Sequence, residues 1–397
     1  MSKKNAKNVI QIQPFHCYKY LWKKCQNPEI IAEAWCNARK GKARRQEVDF
    51  IEANFEYCVK CMIEQLQNTR PDGDSKKAFA PVKHRPKYRL EFGKVRETYC
   101  PTMWEQWVHH IIILVLRPIL EKLFYRYSCG SVPKKGAHYG KREIERVLRK
   151  RKGFKYYAKL DIRHFFKHVG IEYVIHELKE FIDDEWFFFL IRMVFKYFPN
   201  SLPLGFYPSQ WFCNYILCRM DWMIKKKRPR VYIRYVDDMI IGSNNKRWLH
   251  SLTIKIKKYL GRKLHLKIKE NWQIIRFDYI FKNKNKRIGR PIDFMGFVFF
   301  KNRTIIRRGN FYKTCRFAKH LSNINVISLS QAQSMISRLG IFKHTDTRLV
   351  FREKIQPYIS ISNLKGIIRN HQRRYQNENR LDRGEIFRRT IEVCTAQ

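Results

Sequence analysis

The run Tyr232-Ile233-Arg234-Tyr235-Val236-Asp237-Asp238-Met239-Ile240-Ile241 sets two adjacent carboxylates inside an otherwise apolar, strand-forming stretch. Neighbouring residues of a strand face opposite sides of its sheet, so two such aspartates cooperate only if the chain reverses beside them. The stretch 231–241 therefore reads as two strand halves around a hairpin tip that follows Tyr235 and Val236. A carboxylate in an apolar setting is costly unless something neutralises it. A third carboxylate, Asp161, ends another short apolar strand over 156–162 and is followed by Phe165 and Phe166. On a neighbouring strand it would point into the same space. Three carboxylates at one end of a sheet make a hard, all-oxygen site suited to Mg2+. A pair of such ions, about 3.5–4 Å apart, is a general device for in-line phosphoryl transfer. On its own an Asp-Asp hairpin is more often a plain turn; its weight here comes from the rest of the chain.

The charge balance narrows the partners. The chain of 397 residues has 82 Lys and Arg against 34 Asp and Glu, a formal net charge of +48. Such a chain repels itself unless a polyanion neutralises it, and nucleic acid is the usual one. An anionic membrane surface is the rival, but the cations are spread along the chain and not gathered in one amphipathic helix. The longest aliphatic run, 111–116, is far below the roughly 20 residues a membrane span needs. The basic start, Met1 to Asn5, has no apolar segment behind it, so it does not read as a signal peptide. The expectation is a cytoplasmic protein without a membrane. Among eleven cysteines only Cys58 and Cys61 form a C-x-x-C, without a second ligand pair; they read as ordinary thiols on a helix over 55–66.

The organisation follows from punctuation and periodicity. Residues 1–75 read as a basic helical extension, 76–155 as a β-like then helical segment, 156–300 as the segment with the acidic strands, and 301–397 as a basic helical region. Within these, 103–127 reads as one long helix with Pro118 inside it, 186–198 and 209–223 as helices, 294–300 as a strand, and 369–389 as partly disordered. Alternating strands and helices with carboxylates at strand ends imply an α+β fold.

Tyr235-Val236-Asp237-Asp238 resembles the Y-x-D-D box of reverse transcriptases. Asp161-Ile162-Arg163-His164-Phe165-Phe166 resembles that family's first catalytic motif. Leu202-Pro203-Leu204-Gly205-Phe206-Tyr207-Pro208-Ser209-Gln210 resembles the motif between them. Leu264-His265-Leu266-Lys267-Ile268 and Asp293-Phe294-Met295-Gly296-Phe297 resemble the two later motifs, the second being the hairpin called the primer grip. Gly93-Lys94-Val95-Arg96 and Ser128-Cys129-Gly130-Ser131-Val132-Pro133 resemble the earliest motifs of bacterial members. They occur in the family's order over about 80–300.

The resemblance implies a right-hand polymerase with fingers over 76–155, a palm over 156–300 (an antiparallel sheet with helices on one face), and a helical thumb over 301–397. It implies a cytoplasmic, bacterial or phage-encoded enzyme that adds dNTPs to a DNA or RNA primer on an RNA template, with two Mg2+ ions or Mn2+ in their place. Asp161 and Asp237 would hold the metals, helped by Asp238 and the Ile162 carbonyl. Phe166 would be the steric gate against a 2′-hydroxyl, with Phe165 beside it in the core. Arg89, Lys94, Arg96, Leu204, Gly205, Gln210 and Tyr235 would surround the nucleotide, and Phe294, Met295 and Gly296 the primer. Arg303, Arg307, Arg308, Lys313, Arg316 and Lys319 would line the template–primer backbone, and a small accessory protein is a further implied partner.

One position departs from the common pattern. Leu204 stands where many members carry Gln, and the Leu-Gly-x-x-x-Ser-Gln arrangement resembles the reverse transcriptases of diversity-generating retroelements. Abortive-infection and other defence enzymes, a template-independent polymerase on the same palm, and a non-catalytic maturase-like RNA-binding protein stay open at this stage. No H-N-H endonuclease signature and no separate RNase H carboxylate cluster is found in the sequence.

Overall fold

The computed structural model describes residues 17–42, 45–91, 93–149, 153–281, 286–376 and 381–395. From the N-terminus come α1 (Leu21–Cys25), α2 (Pro28–Ala38), α3 (Gln46–Ala53), α4 (Phe55–Asn68), the hairpin β1 (Lys87–Glu91) and β2 (Lys94–Thr98), and α5 (Met103–Leu123). Then follow β3 (Ser128–Cys129), α6 (Ala137–Arg149), β4 (Tyr156–Asp161), α7 (Ile171–Leu178), α8 (Glu185–Val194), α9 (Tyr207–Ile216) and α10 (Cys218–Lys226). Next are β5 (Val231–Tyr235), β6 (Asp238–Ser243), α11 (Lys246–Leu264), β7 (Gln273–Arg276), β8 (Tyr279–Phe281) and β9 (Lys286–Ile288). The last part holds β10 (Ile292–Phe294), β11 (Phe297–Phe299), β12 (Thr304–Ile306), α12 (Arg308–Ser322), α13 (Leu329–Gly340), α14 (Arg348–Lys354), α15 (Ile361–Gln376) and α16 (Arg383–Thr395).

Two compact units result. The first comprises residues 1–123, 166–216 and 381–397. Its centre is α5, which is apolar nearly all round and buries Trp107, Ile111, Ile112, Leu116 and Leu120, as a helix covered on every side must. The Trp107 indole N–H donates to the Ile31 carbonyl at 2.9 Å, fixing α2 on α5. The buried Glu105 carboxylate accepts from the Val82 and Thr102 amides and pairs with His84 at 2.6 Å, which ties 82–84 to the start of α5. The C-terminal α16 packs on α2 and α4, with Arg383 on Glu33 at 2.6 Å. Cys58 and Cys61 lie on α4 as ordinary helix thiols; burial, then the neighbouring Cys61, pushes the Cys58 thiol up to about 11.

The second unit comprises residues 124–165 and 217–380. Its sheet has the order β3-β5-β6-β4-β7, antiparallel except for the short parallel pair β3–β5. Alternate residues serve two cores. Tyr157, Ile233 and Ile240 pack with Ile144, Val147 and Leu148 of α6 and with Phe294 and Phe297 of the β10–β11 hairpin. Tyr232 faces the other way, toward Asp221 of α10, and α11 runs against β4 and β6. The expected helical layer is thus α10 and α11, while α6 and a hairpin cover the opposite face. Burial on both faces explains why β5 and β6 read as near-continuous apolar runs. After β12, α12–α15 close around Ile306, Ala318, Leu321, Met335, Leu339 and Leu364.

Four sequence expectations need correction. The helix expected over 103–127 stops at Leu123 with Pro118 still inside it, because Ser128 and Cys129 are drawn into the sheet beside β5. The helix expected over 209–223 is two, α9 and α10, broken at Leu217. The strand expected over 294–300 is a hairpin, since Met295 (φ 53°) and Gly296 (φ 84°) reverse the chain as a two-residue primed turn does. The tail expected to be partly disordered is helical in α15 and α16; its residues 377–380, and residues 1–16 of the N-terminal extension, lie outside the described residues.

Candidate active site

Asp237 and Asp238 stand at the tip of the β5–β6 hairpin. Tyr235 pairs with Asp238, leaving Val236 and Asp237 as a two-residue loop. Val236 is held at φ 57°. A β-branched residue in that region is strained, by about 1–3 kcal/mol, and persists only where its surroundings impose it. Three contacts do so. The Val236 amide donates to the Cys129 carbonyl at 3.1 Å. The Val236 carbonyl accepts from the Arg234 guanidinium at 2.9 Å. Gly130, at φ +99°, lets the tip approach, since a Cβ there would lie 2.9 Å from the Val236 side chain.

Asp161 ends β4 directly across from Asp238. Like charges in directly opposite positions repel, and Asp238 records it. Burial first, then Asp161 and Asp237, pushes its carboxyl up from 3.8 to about 6. The Lys269 ammonium is bound to Asp161 Oδ2. It is delivered by a strand-like alignment in which Ile268 bridges Ile162 and the Lys269 amide donates to the Asp161 carbonyl at 2.8 Å. The other oxygen, Asp161 Oδ1, is buried without a hydrogen-bond partner.

Among the described residues no three His, Cys, Asp or Glu side chains form a ready cage for an ion. The donor chemistry nonetheless fits a hard divalent cation: an orphaned carboxylate oxygen, a second carboxyl raised by crowding, and the Lys159 and Lys269 ammonium groups opposing that crowding. The stability cost of this crowding has a definite sign. A raised carboxyl pKa gives stability that is present below about 4 and lost as pH rises through about 6. Asp238→Asn is therefore expected to stabilise the protein in EDTA at pH 7 by about 1–3 kcal/mol. The gain should vanish below about pH 4, read by urea unfolding across that range.

The tip rests on a charge buried behind it. Arg234 and Asp221 are both 0% exposed and pair at 2.6 Å. The Tyr232 hydroxyl donates to Asp221 at 2.5 Å, and Arg234 also donates to Ser128 Oγ at 2.7 Å. Sequence reasoning passed over Arg234, Asp221 and Lys269. One signal was available: an Arg within a strand buried on both faces requires an acid partner.

The residues expected to contact the primer sit in the same unit. The hairpin that carries Phe294, Met295 and Gly296 is tied to β4, because the Lys159 ammonium donates to the Asp293 carbonyl and the Tyr157 hydroxyl to the Pro291 carbonyl, each at 2.9 Å. Met295 covers Gly140 of α6, where a Cβ would meet its Cε at 2.8 Å. Arg307 pairs with Asp293. Ile162 and Phe165 are buried.

The other residues predicted around the nucleotide, Tyr235 apart, belong to the first unit, whereas Arg303, Arg308, Lys313, Arg316 and Lys319, predicted along the template–primer backbone, belong to the second. Arg89 and Arg96 are direct partners across the β1–β2 hairpin, and both are exposed, as is Lys94. The Phe166 carbonyl accepts from the Leu202 amide at 2.8 Å, and the Leu204 carbonyl from the Tyr99 amide at 2.7 Å. Gly205 is needed for its own chain, for at φ +110° a Cβ would fall 1.9 Å from the Tyr99 carbonyl oxygen. Gln210 is exposed on α9.

One end of the sheet thus gathers three aspartates at a strained hairpin, in the same unit as a second hairpin. The family model described as reverse transcriptase (RNA-dependent DNA polymerase) matches residues 82–299, more than half of the chain, and the chain belongs to that family. Among solved structures it is similar to apo telomerase from Candida tropicalis (13% identity, TM-score 0.44), covering 71% of this chain and 60% of that one. It is similar also to telomerase from Candida albicans in complex with a TWJ fragment of telomeric RNA (11% identity, TM-score 0.43), covering 86% of this chain and 63% of that one. The chain thus spans less than two thirds of these telomerase chains. No curated protein matches it. No helix among the described residues is long and apolar enough to cross a membrane.

Proposed function

We propose that the chain is an RNA-directed DNA polymerase that adds dNTPs to a primer 3′-hydroxyl on an RNA template. The observation that carries this is the joint placement of Asp161, Asp237 and Asp238 at one end of the sheet, in a chain matched by the family over 82–299. Asp161 and Asp237 would hold the ions, with Asp238 and the Ile162 carbonyl in support. Bound Mg2+ supplies a more acidic primer hydroxyl and charge stabilisation of the leaving pyrophosphate. The protein's own part is placement: the Arg234 and Cys129 contacts fix the tip, and Lys269 neutralises Asp161. Arg89, Lys94 and Arg96 take the triphosphate, since guanidinium groups pair well with phosphate. Residues 76–155 act as fingers, 156–300 as palm and 301–397 as thumb.

Phe166 selects the sugar. Phe166→Ala is expected to raise incorporation of NTPs relative to dNTPs at least about tenfold, the scale of a removed steric clash. Single-nucleotide incorporation with each substrate reads it, and an unchanged ratio removes Phe166 from the gate.

We propose further that the enzyme serves a retroelement of the diversity-generating type. Support comes from Leu204, an apolar side chain where a hydrogen-bonding Gln is common. Leu204→Gln is expected to lower misincorporation opposite template adenines several-fold, measured by sequencing the products. Unchanged errors at adenine would remove this support.

A further inference from the structure

The palm sheet carries a second concentration of charge at its other end. The aspartates sit where β4 ends and β5 turns into β6; the opposite strand ends meet at the pairs Tyr156–Ser243 and Val231–Gly242. There the chain places Lys225 and Lys226 in the last turn of α10, Lys227, Arg228 and Arg230 between α10 and β5, and Lys246 and Arg247 at the start of α11. All seven are exposed. The Arg230 amide donates to the Gly242 carbonyl at 2.9 Å, which holds the two junctions together, and α10 packs on α11. None of the seven forms an ion pair within the described residues.

The rim is separate from the chemistry. The six residues of β4 at about 3.3 Å each span about 20 Å, more than twice the Debye length at physiological salt, about 8 Å. Seven cations crowded without counter-charge repel one another, a cost that a row of phosphates reverses. No large apolar residue is exposed within the rim, as a membrane-seating element would need. Nor is an aromatic exposed there, as a platform for unpaired bases would need.

We propose that this rim binds the phosphate backbone of a double-helical segment of the RNA that carries the template, a second RNA site at the far end of the palm. Naming RNA as the polyanion rests on the polymerase reading; the rim's binding is read without catalysis.

The test compares the full chain with a K225Q/K226Q/K227Q/R230Q variant and a control, K23Q/K24Q/K60Q/K76Q, that removes equal charge from exposed positions of the first unit. Each is titrated by fluorescence anisotropy with a short primer–template, and with the same primer–template extended by an RNA hairpin. The rim variant should bind the hairpin RNA at least about tenfold more weakly than the wild type. The slope of log affinity against log salt should become shallower by about 3.6, the value for four lost phosphate contacts on a double helix. Binding and extension of the short primer–template should stay within about twofold. Equal weakening in the control, equal weakening on the short primer–template, or unchanged hairpin binding overturns the inference. So does loss of binding to phosphatidylserine vesicles with RNA binding intact, which assigns the rim to lipid. If no variant polymerises while the hairpin result holds, the polymerase reading fails and the rim does not.

Discussion

Asp221→Ala is expected to destabilise the protein by about 3–5 kcal/mol, although Asp221 is not among the proposed metal ligands. Its carboxylate is the counter-charge of Arg234, and both groups are wholly buried. Removing one partner strands the other charge in a medium that cannot solvate it. Replacing both by apolar residues of similar size avoids that penalty, so Asp221→Leu/Arg234→Met is expected to recover most of the lost stability. It is not expected to recover polymerisation. Arg234 also donates to the Val236 carbonyl, and without that bond the strained tip relaxes and misplaces Asp237. Urea unfolding and primer extension on the single and double variants separate the two effects. A double variant that is both stable and fully active would show that Arg234 has no part in positioning the tip.

Asp237→Ala gives the opposite pattern. It is expected to lower the rate of nucleotide addition at least about 10³-fold, about 4 kcal/mol or more of lost transition-state stabilisation. Stability should be unchanged or slightly raised, because a half-buried carboxylate is removed from a crowd of three. Affinity for template–primer should be unchanged, since the loss falls on the chemical step and not on ground-state binding. Measured together, rate, melting temperature and binding distinguish a chemical role for Asp237 from a structural one.

The parts of this site that were legible in sequence are those with local signatures. Asp161, Asp237 and Asp238 are carboxylates in or beside largely buried strands, and two adjacent carboxylates there cooperate only if the chain reverses beside them. What stayed hidden depends on pairing between distant segments. That Asp238, and not Asp237, faces Asp161 is a matter of register between β4 and β6. Lys269 reaches Asp161 through a single bridge between Ile268 and Ile162, and Asp221 finds Arg234 only once α10 lies against β5. The early end of α5 was also invisible, because the sheet contact that takes Ser128 and Cys129 overrides local helical preference. The C-terminal α16 reads as one more basic helix of the tail, yet it packs on α2 and α4 of the N-terminal region, a placement no local pattern encodes.

The central claim is that the three aspartates perform RNA-templated DNA synthesis. The most direct measurement gives the purified chain a primed RNA template of mixed sequence with all four dNTPs and Mg2+, and sequences the products. The expected result is primer extension whose sequence is complementary to the template, present in the wild type and absent in Asp237→Ala. Extension that ignores the template, or template-directed extension that survives in Asp237→Ala, would contradict it.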